Sequence, residues 1–287
     1  MAAGVCGLLA VSARAGGPTT IVLNGTARDF ASSPSQAAAN HVSYDNDFEN
    51  AEADDKGIVA LPSELNPNGT PIYNTIALGA DGTPVYLGGN GTATTFAYGN
   101  ATAEQQFYAW YHNDPTYNVD IPISITLTNN GSGLYTFNDP NFFPLDGLGF
   151  GDYADGHNYS FTDEFDTDFT YTGIGSETFS FSGDDDVYVY INNYLVIDLG
   201  GVHGTETQSV NLDDLGLTAG DAYSLDIFSA ERHTTGSDLA LQTELVLSSA
   251  AVPDSCDTGL LLAATATLLL LRSWLGKRTL VASESAA

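Results

Sequence analysis

The sequence predicts an all-β protein, an antiparallel β-sandwich, and three observations carry that expectation. Aromatic side chains are plentiful, with Tyr 15 and Phe 14 against a single Met. Turn formers are frequent, with 30 Gly and 11 Pro among 287 residues. Short β-branched and aromatic runs recur through the second half, divided by Gly, Asn and Asp, which marks strands rather than long helices. With 43% hydrophobic residues the chain can bury a substantial core, and its length fits one large β-domain.

In chain order, Val5 to Val11 is short and apolar and precedes Ala13-Arg14-Ala15. That small-x-small pattern suits a signal peptidase, so residues 1–15 are expected to be a signal peptide. Residues 31–40, 62–71 and 88–92 read as loops, rich in Ala/Ser, Pro and Gly respectively. Thr102 opens a Thr-x-x-Gln capping pattern with Gln105, so a short helix is expected there. The cluster Phe107-Tyr108-Ala109-Trp110-Tyr111 behind it is expected to be core. Strands are expected at 178–182, 187–191, 195–199, 210–212, 222–228 and 239–247. Asn192-Asn193 turns the chain between two of them, because Asn tolerates positive φ. Phe179, Phe181, Val189, Ile191, Ile197, Ile227 and Leu245 are the candidate core of this part.

The C-terminus carries Val252-Pro253-Asp254-Ser255, then an apolar run from Gly259 to Leu271, then Arg272, Lys277 and Arg278. The run is shorter than the ~20 residues of a full membrane span. Trp274 and Leu275 extend it towards the lower limit, with the basic residues on the cytoplasmic side. Residues 252–278 resemble the VPDSG-CTERM variant of PEP-CTERM sorting signals. The resemblance implies a short transmembrane sorting helix, recognition by an exosortase, and transient anchoring in the inner membrane before the tail is removed. The chain departs from the motif at Cys256, where the pattern has Gly, and continues beyond Arg278. The domain is then expected at 16–250.

Seven basic residues face 36 acidic ones, a net charge of −29. That balance excludes nucleic acid, which needs a basic patch, and direct binding to anionic membrane surfaces. It permits divalent cations, or simply keeps an exported protein soluble. Removal of both processing segments leaves Arg28, Lys56 and Arg232 as the basic residues. Both cysteines, Cys6 and Cys256, also leave, so the processed domain has no disulfide, thiol nucleophile or Cys-ligated metal.

Gly183-Asp184-Asp185-Asp186 lies between two expected strands. Three adjacent carboxylates suit a hard cation such as Ca²⁺; they also suit an ordinary turn. Arg232 is expected to pair with a carboxylate, as a lone cation in an acidic field does. His203 and His233 can bind a ligand or order their loops through hydrogen bonds. Gly200-Gly201 reads as a tight turn.

Five ordered segments resemble the fibro-slime domain: Phe142 to Gly147, His157 to Thr162, Phe181 to Val187, Asp198 to His203, and Ala230 to Ser237. Arg28-Asp29-Phe30 and Asp47-Phe48-Glu49 also match, so the resemblance runs from Ile21 to Leu247. It implies a jelly-roll-like sandwich of the protective-antigen and flocculin type. In such adhesins two consecutive aspartates joined by a cis peptide hold Ca²⁺, which grips sugar hydroxyls. The matching positions here are Asp184 and Asp185. A further ligand in that family is an Asn on the loop between the last two strands, where this chain has Asp238. His203, Glu231, His233 and Ser237 are the candidate ligand contacts around them.

The function expected is a Ca²⁺-dependent, non-enzymatic module that binds glycan or extracellular polysaccharide at the cell surface or in a matrix. One alternative is a purely structural matrix or slime protein in which Ca²⁺ only stiffens a loop. A polysaccharide hydrolase is the weakest reading, because adjacent aspartates cannot flank a glycosidic bond at the ~5–9.5 Å that acid/base pairs need. HExxH, Gly-x-Ser-x-Gly and P-loop patterns are all missing.

Overall fold

The computed structural model describes residues 17–45, 76–86, 103–232 and 234–247. Among them are eleven strands: β1 (Thr20–Phe30), β2 (Asn118–Asn129), β3 (Tyr135–Asp139), β4 (Phe161–Thr170), β5 (Thr178–Asp184), β6 (Asp186–Ile191), β7 (Tyr194–Leu199), β8 (Glu206–Asn211), β9 (Ala222–Glu231), β10 (Asp238–Thr243) and β11 (Val246–Leu247). Two α-helices, α1 (Pro34–Asn40) and α2 (Ala103–Trp110), accompany them.

One antiparallel hydrogen-bonded path joins the strands in the order β7-β6-β9-β4-β1-β2-β3-β10-β5-β8, with β11 added beside β4. At the two ends of the path, the Asp198 N–H on β7 donates to Gln208 Oε1 on β8 at 2.9 Å. The sheet thus curls over its own inner face, in the manner of a sandwich. Alternation fills that face: Phe161, Phe165 and Phe169 from β4, Phe179 and Phe181 from β5, Val187, Val189 and Ile191 from β6, Leu239 and Leu241 from β10. All seven candidate core positions named above are at most 2% exposed.

A second apolar layer lies outside the sandwich. Tyr188, Tyr190, Phe228 and Ala230, on the outer face of β6 and β9, pack against Phe107, Trp110 and Tyr111 from α2 and the residue after it. The expected helix therefore forms, and its aromatic cluster is core except for Tyr108, which is half exposed. Both faces of β6 are covered, so every residue in it is buried.

The expected Asn192-Asn193 turn forms with both residues at positive φ. Residues 31–40 correct the loop reading. Ser33 caps a helix there by accepting the Gln36 N–H, Pro34 occupies the first turn, and Ala37 is buried against its surroundings; an Ala/Ser-rich stretch becomes helical once both ends are capped. The expected 239–247 strand breaks at Glu244-Leu245 into β10 and β11. β1 to β4, four of the eleven described strands, were not assigned from the sequence. No described helix is long and apolar enough to cross a membrane. The signal peptide, the sorting motif Val252, Pro253, Asp254 and Ser255 with its helix, His233, and the 62–71 and 88–92 loops lie outside the described residues.

Candidate functional site

The acidic segment is a crossing between layers rather than a turn. β5 pairs with β8 and β10, β6 pairs with β7 and β9, and a cis Asp184–Asp185 peptide joins them. Glycine is required just before it: a Cβ on Gly183 would sit 2.4 Å from Val187 Cγ2. The register places Asp238 of β10 directly opposite Asp184. Both line a small cavity between the layers, together with Glu231 and Asp163.

Asp185 is 1% exposed, and its Oδ1 and Oδ2 accept the N–H groups of His203 and Arg232 at 3.0 and 3.2 Å. Burial, then the charge of Asp186, pushes its pKa up to about 7. A side-chain hydrogen bond links it to Asp184, whose own pKa is raised by burial and by the charge of Asp238. Asp238 Oδ2 accepts the Thr205 hydroxyl. Gly236 brings the β9–β10 loop over the site, so close that its Cβ would lie 3.3 Å from Asp184 Oδ2.

Behind the site Asp186 is fully buried. It accepts Arg232 Nε at 2.5 Å, the Gly201 N–H at 2.6 Å and the Tyr188 hydroxyl at 2.9 Å. The Arg232 guanidinium lies 5.0 Å over the Trp110 ring, and Trp110 Nε1 donates to Asp45 at 3.1 Å. The expected ion pair of Arg232 is this one. Burial alone would lower its pKa, but Asp186 raises it. Gly200-Gly201 is the expected tight turn, with Gly201 at φ +103°.

Both ring nitrogens of His203 lie 2.8 Å from backbone carbonyls, Nδ1 from Gly204 and Nε2 from Leu199. Two acceptors favour the doubly protonated ring. Burial pulls its pKa down, and the two carbonyls outweigh it, so the net shift is upward. His203 orders its loop. Glu231 is 2% exposed and faces the inner cavity. Ser237 is buried and donates its hydroxyl to the Phe142 carbonyl at 2.7 Å.

That last contact brings the β3–β4 loop beside the site, an arrangement sequence reasoning missed. Asp29 on β1 is fully buried and receives Asn158 Nδ2 at 2.7 Å and the Phe150 N–H. Asp146 receives the Asn158 N–H at 2.9 Å and lies 2.8 Å from His157 Nδ1. Phe143 stacks on His157 at 4.2 Å, with Tyr159 edge-on to Phe143. The signal was present in the segments Arg28-Asp29-Phe30 and His157 to Thr162, which carry Asp29, His157, Asn158 and Tyr159.

The donor set fits a hard cation in part. Asp184, Asp185 and Asp238 bring carboxyl oxygens to one sheet end, the hard ligands Ca²⁺ takes. Among the described residues, however, no three His, Cys, Asp or Glu side chains form a ready-made metal cluster. The reason is local: Asp185 and Asp238 are turned onto the donors just described. A cation shell of six to eight oxygens then needs backbone carbonyls and water besides.

Two relatives from Dictyostelium discoideum are similar to this chain. Protein psiD is 43% identical over 187 residues, covering 62% of this chain and 36% of psiD. Protein psiJ is 36% identical over 227 residues, covering 68% of this chain and 31% of psiJ. The chain thus spans about a third of these relatives. Among solved structures, the PA14 domain of the MpAFP antifreeze protein has a TM-score of 0.25 at 16% identity, covering 34% of this chain and 48% of that one. The PA14 sugar-binding domain from an RTX adhesin has a TM-score of 0.22 at 17% identity, covering 33% and 55%. The family profile of the PA14 domain matches residues 150–259, the stretch that holds β4 to β11 and the Asp184–Asp185 pair.

Proposed function

We propose that residues 16–250 form an exported, non-catalytic module that takes one Ca²⁺ at Asp184, Asp185 and Asp238 and holds a glycan or extracellular polysaccharide through it. The observation that carries this reading is the placement of Asp184 opposite Asp238 and beside Asp185 at one end of the sandwich, under a glycine-bearing loop. The PA14 match supports the glycan side, since this is a domain of the carbohydrate-binding and adhesion type. Water in the open part of the Ca²⁺ shell is where sugar hydroxyls enter. Signal peptidase and an exosortase process the two ends, the second acting at Val252 to Ser255 while the tail sits in the inner membrane. The product stands at the cell surface or in the matrix.

Isothermal titration with Ca²⁺, paired with a glycan array run with Ca²⁺ and with chelator, tests this. Asp185→Ala is expected to weaken Ca²⁺ by at least ~100-fold, because it removes a ligand from a shell that side chains fill only in part, and to abolish Ca²⁺-dependent glycan capture. Wild-type affinity in Asp185→Ala places the metal elsewhere. A second reading, a structural matrix protein, is favoured by the burial of Asp185 on two backbone N–H donors, which suits a cation that stiffens loops. Ca²⁺ uptake with no glycan captured selects it.

A further inference from the structure

We infer that Arg232, clamped beneath Trp110 of α2, is the positioning residue of the carboxylate site, so that α2 is part of the binding apparatus. The inference rests on the calcium reading above and adds a residue and an element to it.

Geometry carries the argument. Arg232 immediately follows β9, and its backbone N–H holds Asp185 Oδ2 while its side-chain Nε holds Asp186 Oδ2. One residue thus grips two consecutive aspartates, Asp185 between the strands and Asp186 at the start of β6. The guanidinium itself has few other anchors. Nη1 and Nη2 are buried and have no hydrogen-bond partner among the described residues. Asp186 on one edge and the Trp110 ring over its face therefore fix its place. A cation over an indole face in a desolvated site is held there by the negative face of the ring.

Trp110 is in turn fixed from two sides. Its Nε1 donates to Asp45 at 3.1 Å, and its carbonyl accepts the Thr162 hydroxyl of β4. The ring is 1% exposed in the outer apolar layer. A connected series results: Asp45, Trp110, Arg232, then Asp185 and Asp186. Its first two members lie upstream of residue 150, where the PA14 match begins. Sequence reasoning assigned Trp110 to a core cluster and Arg232 to an ion pair, and the structure joins the two roles at the site.

Charge alone does not describe this residue. Arg232 and Asp186 cancel, so together they add nothing to the site's net charge. Their contribution is to hold residue 232 where its N–H meets Asp185, and to hold Asp186 so that residue 185 is presented inward. Outer partners of metal ligands typically set affinity by ~10–100-fold.

The test uses Ca²⁺ titration on the full chain with variants that separate position from charge. Asp186→Asn combined with Arg232→Met keeps the net charge and replaces a buried ion pair with neutral groups, a change that folded proteins commonly tolerate. Its Ca²⁺ affinity is expected to fall about tenfold or more. Trp110→Phe, which keeps an aromatic ring but loses the Asp45 bond, is expected to fall several-fold with an unchanged circular dichroism spectrum. Val210→Ala is the control, a core truncation paired with Phe179 at the other end of β5; it lowers the unfolding midpoint and is expected to leave Ca²⁺ affinity alone. Affinity within twofold of wild type in both site variants overturns the inference, as does an equal loss in Val210→Ala. A wild type that takes up no Ca²⁺ removes the calcium reading and this inference with it.

Discussion

Gly149 and Asp29 illustrate how single residues set the loop beside the site. Gly149 has φ +56°, and a Cβ there would lie 2.0 Å from Asp29 Oδ2 and 2.9 Å from Asp29 Cβ. Asp29 cannot retreat, because it is fully buried and holds Asn158 and the Phe150 N–H. Gly147 also has positive φ, at +72°, yet nothing would lie within 4 Å of its Cβ. Gly147→Ala therefore adds backbone strain alone, about 1–2 kcal/mol. Gly149→Ala adds the collision, and is expected to destabilise by roughly 3 kcal/mol or more. Thermal unfolding of the two variants separates the effects; equal midpoints would falsify the assigned contact.

At the scale of elements, legibility followed periodicity and context. β5, β6, β7 and β9 were readable because alternation or an apolar run was bounded by turn residues, and Phe179, Val189, Ile197 and Ile227 all fell on the buried face. β4 was not: its inward Phe161, Phe165 and Phe169 share the strand with Asp163, Glu164, Asp166 and Asp168, a composition that local propensity disfavours. Tertiary pairing with β1 and β9 overrides it. β1 hides likewise behind Asn24-Gly25, residue types that strands disfavour. Gly25 is instead needed where the chains approach, since its Cβ would lie 2.3 Å from the Glu164 carbonyl oxygen. The carboxylates of the site were legible as a motif. Of their partners, Arg232 and His203 were expected nearby, whereas Trp110 and Thr205 reach the site only through the fold. Helix α1 was missed because Ala and Ser say little by themselves until Ser33 supplies its cap.

Across the whole molecule, burial of acid gives stability an unusual dependence on pH. Burial pushes Asp29 up to about 7, against the lowering effect of Asn158 and the Phe150 N–H. It also lifts Asp163 to about 6, and Asp226 to about 6 with help from Asp166, Glu164 and Asp168 across the outer face. Each folded-state value lies above the ordinary 3.8, so the folded chain holds these protons more tightly than the unfolded one. The stabilisation is full below about pH 4 and is lost as pH rises through 6 and 7. The urea midpoint, measured in chelator, is expected to be higher at pH 5 than at pH 7.5. A midpoint that stays level or rises over that interval would show that these carboxylates are not held protonated by the fold. The burial of the arginines has a different consequence. Between residues 16 and 253, trypsin has only Arg28, Lys56 and Arg232 to cut after. Arg28 is 6% exposed and bridged to Glu164, and Arg232 is 1% exposed under Trp110. Digestion of the folded protein should therefore spare Arg28 and Arg232, and cleavage after Arg232 becomes a direct clock for opening of the carboxylate site.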